Sequence, residues 1–274
     1  MRTMRRTLVA LGLVAGVAGV AVWAVRSDGG AASGAFSPLT AGTLTVATSE
    51  VPAAGFWEGR DADHVTGGFE DELAVALADE LGLDRVAVVV RPFDDLVGGS
   101  ATGFDVALAQ ISITRGRARR LDLSQPYLTT PVAVVGRHGA DEVPDLAAAR
   151  DLRWGVGRAT TEADLVDDLR PSADPVIYDD AGAALAAVLD GEVDVVAVDF
   201  VRGLAEVDTE PRLAVLAQVN DPQHYGALVA GDLDAVDSAL RALAADGTLD
   251  DLRDELYDRF STDVDGLPTI RVPS

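Results

Sequence analysis

The segment FEDELAVALADELG (69–82) lies between two apolar runs, LTVATS (44–49) and VAVVVRPF (86–93), and this order constrains the fold more than any other feature. Phe69, Leu73, Leu77 and Leu81 recur at four-residue spacing, which draws an apolar stripe along a helix, and Gly82 supplies its stop. The run 86–93 reads as a buried strand, and FDVALAQISIT (104–114) holds another. Strands alternating with helices predict a mostly parallel sheet covered by helices.

The same alternation restarts in the second half. VAVVGR (132–137) reads as a strand. LRWGVGR (152–158) reads as a strand leading into ATTEADLVDDL, a helix opened by Thr160 or Thr161 with acidic residues in its first turn. PVIYD (175–179) is a short strand, DAGAALAAVLDGEV (180–193) a helix with a glycine stop, and DVVAVDF (194–200) a strand with Asp199 near its end. Two helices follow, at 232–246 and 248–259. The fold class is α/β, with two units joined by short extended crossings and a cleft between them. Ligands of such sheets bind at strand C-termini and helix N-termini.

Composition narrows the chemistry. The 274 residues carry 45 acidic groups against 22 basic ones, a formal charge of −23, which argues against a nucleic-acid partner. There is no cysteine, hence no disulfide and no thiolate nucleophile or metal ligand. Every basic side chain except three histidines is arginine. At the N-terminus, Arg2, Arg5 and Arg6 precede an uncharged run from Leu8 to Val25, with Arg26 and the linker 29–42 behind it. A positive flank before an apolar core is an export signal, either cleaved or retained as a membrane anchor; both readings put residues 43–274 outside the cytoplasm.

Against this acidity, Arg115, Arg117, Arg119 and Arg120 gather within six residues after the strand-like ISIT. Arg117 leaves that strand by a loop, and Ser112 lies just before it. A guanidinium fork with a neighbouring hydroxyl makes a carboxylate clamp; the alternative is a solvated basic loop. His64, His138 and His224 lack metal-ligand spacing, and neither a cofactor nor a metal is expected. Asp94–Asp95 and Asp167–Asp168 read as polar helix ends, and Gly155–Gly157 is too short for a dinucleotide fingerprint.

In order, GGFEDELAVALADELG, FDVALAQISITRGRARRLDLSQPY, GVGRATTEADL, DGEVDVVAVDF, HYGALV and LRALAADGTLDDLRDELYDRF occur with appropriate gaps. This series resembles the extracellular amino-acid-binding proteins of ABC transporters, solute-binding protein family 3, over about residues 43–260. The resemblance implies a two-lobed, type II periplasmic-binding-protein-like (Venus-flytrap) fold, each lobe a mostly parallel sheet flanked by helices. It implies a first lobe of 43–126 with 227–260, a second of 132–221, hinge crossings at 127–131 and 222–226, and a tail at 261–274.

Carried over residue by residue, the resemblance implies that Ser112, Arg117 and the backbone of Gln110 take the α-carboxylate of an amino acid, joined by Thr160 and Thr161. Asp199 takes the α-ammonium; as a carboxylate ending an apolar VVAV run it needs a partner, and the alternative is a helix N-cap. Phe56 and Trp57 stand where the family places a ring over the ligand; the alternative is a solvent-shielding or loop-core role. Arg158, with Arg115, is a candidate for a second anionic group, which would favour a polar or acidic ligand. The implied protein is a monomeric receptor, not an enzyme, with ABC permease subunits as partners. The rivals are a cyclohexadienyl or arogenate dehydratase-like enzyme, with Glu50, Glu58 and Glu162 as candidate acids, and a membrane-tethered ligand sensor.

Overall fold

The computed structural model describes residues 36–272, apart from 159 and 180, together with Ala21–Ala24. The first elements are β1 (Ala21–Ala24), β2 (Thr43–Thr48), β3 (Glu58–Gly59), β4 (Val65–Gly67), α1 (Phe69–Glu80), β5 (Arg85–Val90), α2 (Phe93–Gly98), β6 (Val106–Ala107), α3 (Arg115–Ala118) and β7 (Leu123–Arg137). The chain continues with α4 (Leu146–Arg150), β8 (Trp154–Gly157), α5 (Thr161–Leu169), β9 (Val176–Tyr178), α6 (Ala181–Asp190), β10 (Val195–Asp199), α7 (Phe200–Thr209), β11 (Leu213–Val229), α8 (Leu233–Ala245), α9 (Thr248–Asp258) and β12 (Thr269–Ile270).

The main sheet runs β1-β5-β2-β6-β11-β7-β10-β8-β9, with β12 beside β11. Two parallel sets stand at its ends, β5-β2-β6 and β10-β8-β9. Antiparallel β7 and β11 join them. Both faces are covered, and side-chain alternation sorts the strands accordingly. In the first set Val46, Val106 and Leu108 pack under α1 and α8, while Ala47, Ala107 and Ala109 pack with Leu96 of α2. In the second set Val195 and Ala197 join Trp154 and Val166, while Val196 and Val198 join Leu185 and Leu204. The two halves thus have separate apolar cores.

The crossings differ from the expected short connections. They are the middles of two long strands of 15 and 17 residues that run through both halves. Their register breaks where Val219 faces Val132 but Gln223 faces Thr130, so β11 takes four steps where β7 takes two. Helix α2 stops at Gly99 with φ 79°. The tail also differs: β12 pairs with β11, and Ile270 is fully buried in the core of the second half. Of the N-terminal apolar run only Ala21–Ala24 is described, as an edge strand antiparallel to β5; the rest lies outside the described residues. No helix among the described residues is long and apolar enough to cross a membrane.

Candidate functional site

Helix α1 starts without a side-chain cap. Its first amides instead bond the carbonyls of the preceding loop, Phe69 N to Gly55 O at 2.9 Å and Glu70 N to Phe56 O at 3.0 Å. This approach needs Gly68: a Cβ there would lie 2.3 Å from the Phe56 carbonyl oxygen, and its φ is 109°. The contact pulls Phe56 and Trp57 inside. Trp57 is wholly buried and its indole Nε1 donates to Glu70 Oε2 at 2.7 Å. Phe56 meets Phe69 and Tyr225 edge-on. The two rings expected above a ligand are therefore core residues here.

Glu70 is the hub beneath the site. It accepts from Trp57, from the Tyr127 hydroxyl, and from the backbone and side-chain nitrogens of Gln110 at 2.9 and 2.5 Å. Burial pushes its carboxyl up to about 7 against the pull of those donors. The amide of Gln110 is thus held inside the first half, not offered to a ligand. Gln110 has φ +49°, a left-handed conformation costly for a side chain with a Cβ. Glu70 pins that turn, and the turn aims Ser112 at the junction.

At the junction Ser112 is buried and bridges Tyr225 of β11. Thr114 caps α3 by accepting from Arg117 N. This turns the Arg117 guanidinium back, so that Nη1 donates to the Ser112 carbonyl at 3.0 Å and the group sits 5.5 Å over the Phe93 ring. Burial pushes the Arg117 pKa down, while Glu162 and Asp199 across the junction push it up. Arg115, Arg119 and Arg120 are exposed; only Arg117 of the four turns inward.

The second half supplies the facing wall. Thr160 caps α5: its hydroxyl accepts from Ala163 N at 3.2 Å and donates to the Gly157 carbonyl at 2.9 Å, so the capping leaves it little for a ligand. Thr161 faces the junction and accepts from Gln223 Nε2 at 3.0 Å. Asp199 stands at the N-cap position of α7 but makes no side-chain cap bond; instead it accepts from the Tyr225 hydroxyl at 2.6 Å. Arg158 points elsewhere, into an exposed ion pair with Asp179 at 2.9 Å.

Three participants were not expected as ligand contacts: Gln223, Tyr225 and Glu162. Gln223 joins the halves, with Oε1 3.4 Å from Ser112 Oγ and Nε2 2.5 Å from Glu162 Oε1. Glu162 is buried at the start of α5, and burial with the Asp199 charge pushes its carboxyl up to about 7. Of the three, the sequence offers Glu162 only as a candidate acid of the rival enzyme; its adjacency to Thr161 in ATTEAD is the signal that points to the site. A cavity of about 310 Å³ lies elsewhere, lined by Thr130, Gln218, Asn220 and Arg271 among others, at the break in the β7–β11 register.

Residues 44–259 match the family described as "Bacterial extracellular solute-binding proteins, family 3". The chain is 26% identical over 200 residues to ABC transporter arginine-binding protein 1 of Escherichia coli, covering 69% of this chain and 81% of that protein. An ancestral arginine-binding protein bound to glutamine superposes with a TM-score of 0.62 at 27% identity, over 80% of this chain and 99% of that one. An ancestral amino-acid-binding protein described as a precursor of cyclohexadienyl dehydratase gives a TM-score of 0.62 at 25% identity, over 79% and 95%.

Proposed function

The chain belongs to the bacterial extracellular solute-binding proteins, family 3, and on that premise we propose that it is an extracytoplasmic receptor for an α-amino acid that delivers its ligand to ABC permease subunits by lobe closure. The lobes are 43–126 with 227–260, and 132–221. They flex where β7 and β11 lose register, near 127–131 and 222–226. One observation carries the reading: Arg117 and Ser112 of the first lobe converge with Thr161 and Asp199 of the second around Gln223. Opposite charges across a junction match the two ends of a zwitterion. A ligand touching both lobes stabilises only the closed state. The preference is for a polar side chain; the acidic option loses its carrier, because Arg158 is engaged by Asp179 at the surface. The N-terminal segment exports the chain, and holds it at the membrane if it is retained.

The test is thermal unfolding of the full chain against the natural amino acids. A native-state ligand raises the midpoint with concentration, and Arg117→Ala is expected to abolish the shift. No shift with any amino acid removes the receptor reading. A second reading, an enzyme on this scaffold, is favoured by Glu162 alone: it is the candidate acid buried at the junction, whereas Glu50 is exposed and Glu58 pairs with Arg259 at 2.7 Å. Turnover of cyclohexadienyl acids by the chain, lost in Glu162→Gln, would establish it.

A further inference from the structure

We infer that Glu162 belongs to the ligand seat: with Asp199 it forms a two-carboxylate cup for the ligand's ammonium group, and in the ligand-free protein the pair shares one proton that the ammonium displaces. This inference rests on the receptor reading above.

The geometry makes the case. Glu162 is 5% exposed, so it is not a solvated helix-end acid. Gln223 and Tyr225 stand two residues apart on β11 and hold Glu162 and Asp199 near each other, so that the charge of one acid bears on the other; two buried carboxylates so placed are accommodated by a proton between them. Their outer oxygens are already directed: Glu162 Oε1 accepts from Gln223 Nε2 at 2.5 Å, and Asp199 Oδ1 accepts from the Tyr225 hydroxyl at 2.6 Å. The surrounding groups come from three elements. Arg117 approaches from α3, with Arg120 of the following turn near Arg117 itself, and Arg202 approaches Asp199 from α7. From β11 come only neutral groups, the Gln223 amide and the Tyr225 hydroxyl, whose pKa is driven well above its ordinary value. Among the described residues none of the three arginines forms an ion pair with either carboxylate: Arg117 donates to the Ser112 carbonyl, Arg120 to the Gly116 carbonyl, and Arg202 pairs with Glu206, so none replaces the proton. Burial opposes ionising either acid, and at Glu162 the charge of Asp199 adds to it, so both are pushed up.

An ammonium group offers three donors and one positive charge to the same spot. Seated there, it lets both carboxylates ionise, and one proton leaves for bulk water. The charge count also sets a preference. With the shared proton, the pair carries one negative charge opposite the one positive charge of Arg117, since Arg202 is paired with Glu206 and Arg120 is exposed to solvent. A zwitterion that expels the proton leaves the seat one negative charge in excess. A basic side chain cancels that excess and an acidic one doubles it, so the seat favours basic over acidic amino acids.

The experiment is isothermal titration of the full chain at pH 6 with L-arginine, L-glutamine and L-glutamate, in two buffers of different ionisation enthalpy. The buffer dependence counts protons released per ligand bound. Wild type is expected to release close to one proton, with arginine binding at least tenfold tighter than glutamate. Glu162→Gln and Asp199→Asn are each expected to bind more weakly and release close to none; unfolding midpoints establish that both variants are folded. Binding to wild type without proton release overturns the inference and leaves the receptor reading intact. So does undiminished release from both folded variants, or glutamate binding tighter than arginine. No heat from these three or from any other natural amino acid overturns the receptor reading itself, and the seat falls with it.

Discussion

Glu70 poses a contest between two physical effects that a single substitution can decide. Its carboxyl is fully buried, which disfavours charge, yet it accepts four hydrogen bonds, which favour it. Burial prevails and pushes the group from 4.5 in the unfolded chain to about 7 in the folded one. A raised acid contributes stability in full below its unfolded pKa and loses it as pH rises through its folded pKa. From pH 5 to pH 8 the loss is on the order of 2–3 kcal/mol. For a chain of this size that corresponds to a fall of roughly 5–10 °C in the unfolding midpoint. Glu70→Gln removes the titration. The assay is calorimetric unfolding of both proteins at half-unit steps from pH 5 to 8. The wild-type midpoint is expected to fall relative to the variant across pH 5–7 and to run parallel above it. Parallel curves throughout would refute the reasoning, showing that the four donors hold Glu70 ionised. The comparison also cancels Glu162, which titrates in both proteins.

Further outcomes follow from single contacts. Arg117→Ala is expected to weaken amino-acid binding at least ~30-fold, since a desolvated charge partner is worth about 2 kcal/mol or more, whereas Arg158→Ala should leave the dissociation constant within about twofold because its pair with Asp179 is exposed; titration calorimetry reads both. Gly203→Ala places a Cβ 2.6 Å from that of Ala133 and forces α7 off β7; overpacking of this kind costs about 1–3 kcal/mol in denaturant unfolding, and an unchanged midpoint would mean that α7 is loosely seated. Trp57→Phe deprives Glu70 Oε2 and the Leu108 carbonyl of a buried donor, so a loss of about 1–3 kcal/mol is expected by the same measurement.

The local elements of this fold are written in short-range pattern. The four-residue spacing of Phe69, Leu73, Leu77 and Leu81 became α1, the alternation of apolar runs with helical segments became the two parallel sets, and Thr160 became the cap of α5. Arg117 could be separated from its three neighbours only as a candidate. Its inward turn comes from the cap bond of Thr114 and from the Phe93 ring, residues whose approach the linear pattern does not encode. Helix α7 was missed because strand-like VVAVDF runs straight into it; packing of Phe200 and Leu204 on the second core decides that boundary.

The sequence by itself determined what depends on neighbours a few residues apart: the helices, the buried strands, the α/β class and the acidic surface. Tertiary structure alone decided what depends on long separations. Gln223 meets Glu162 across 61 residues and Ser112 across 111. Trp57 turned out to be a core donor to Glu70, and the tail closed as a strand on β11. Hydrophobic periodicity is a local property, whereas the desolvation that pushes Glu70 and Glu162 up, and so makes their protons chemically available near neutrality, exists only after distant elements have shut out the water.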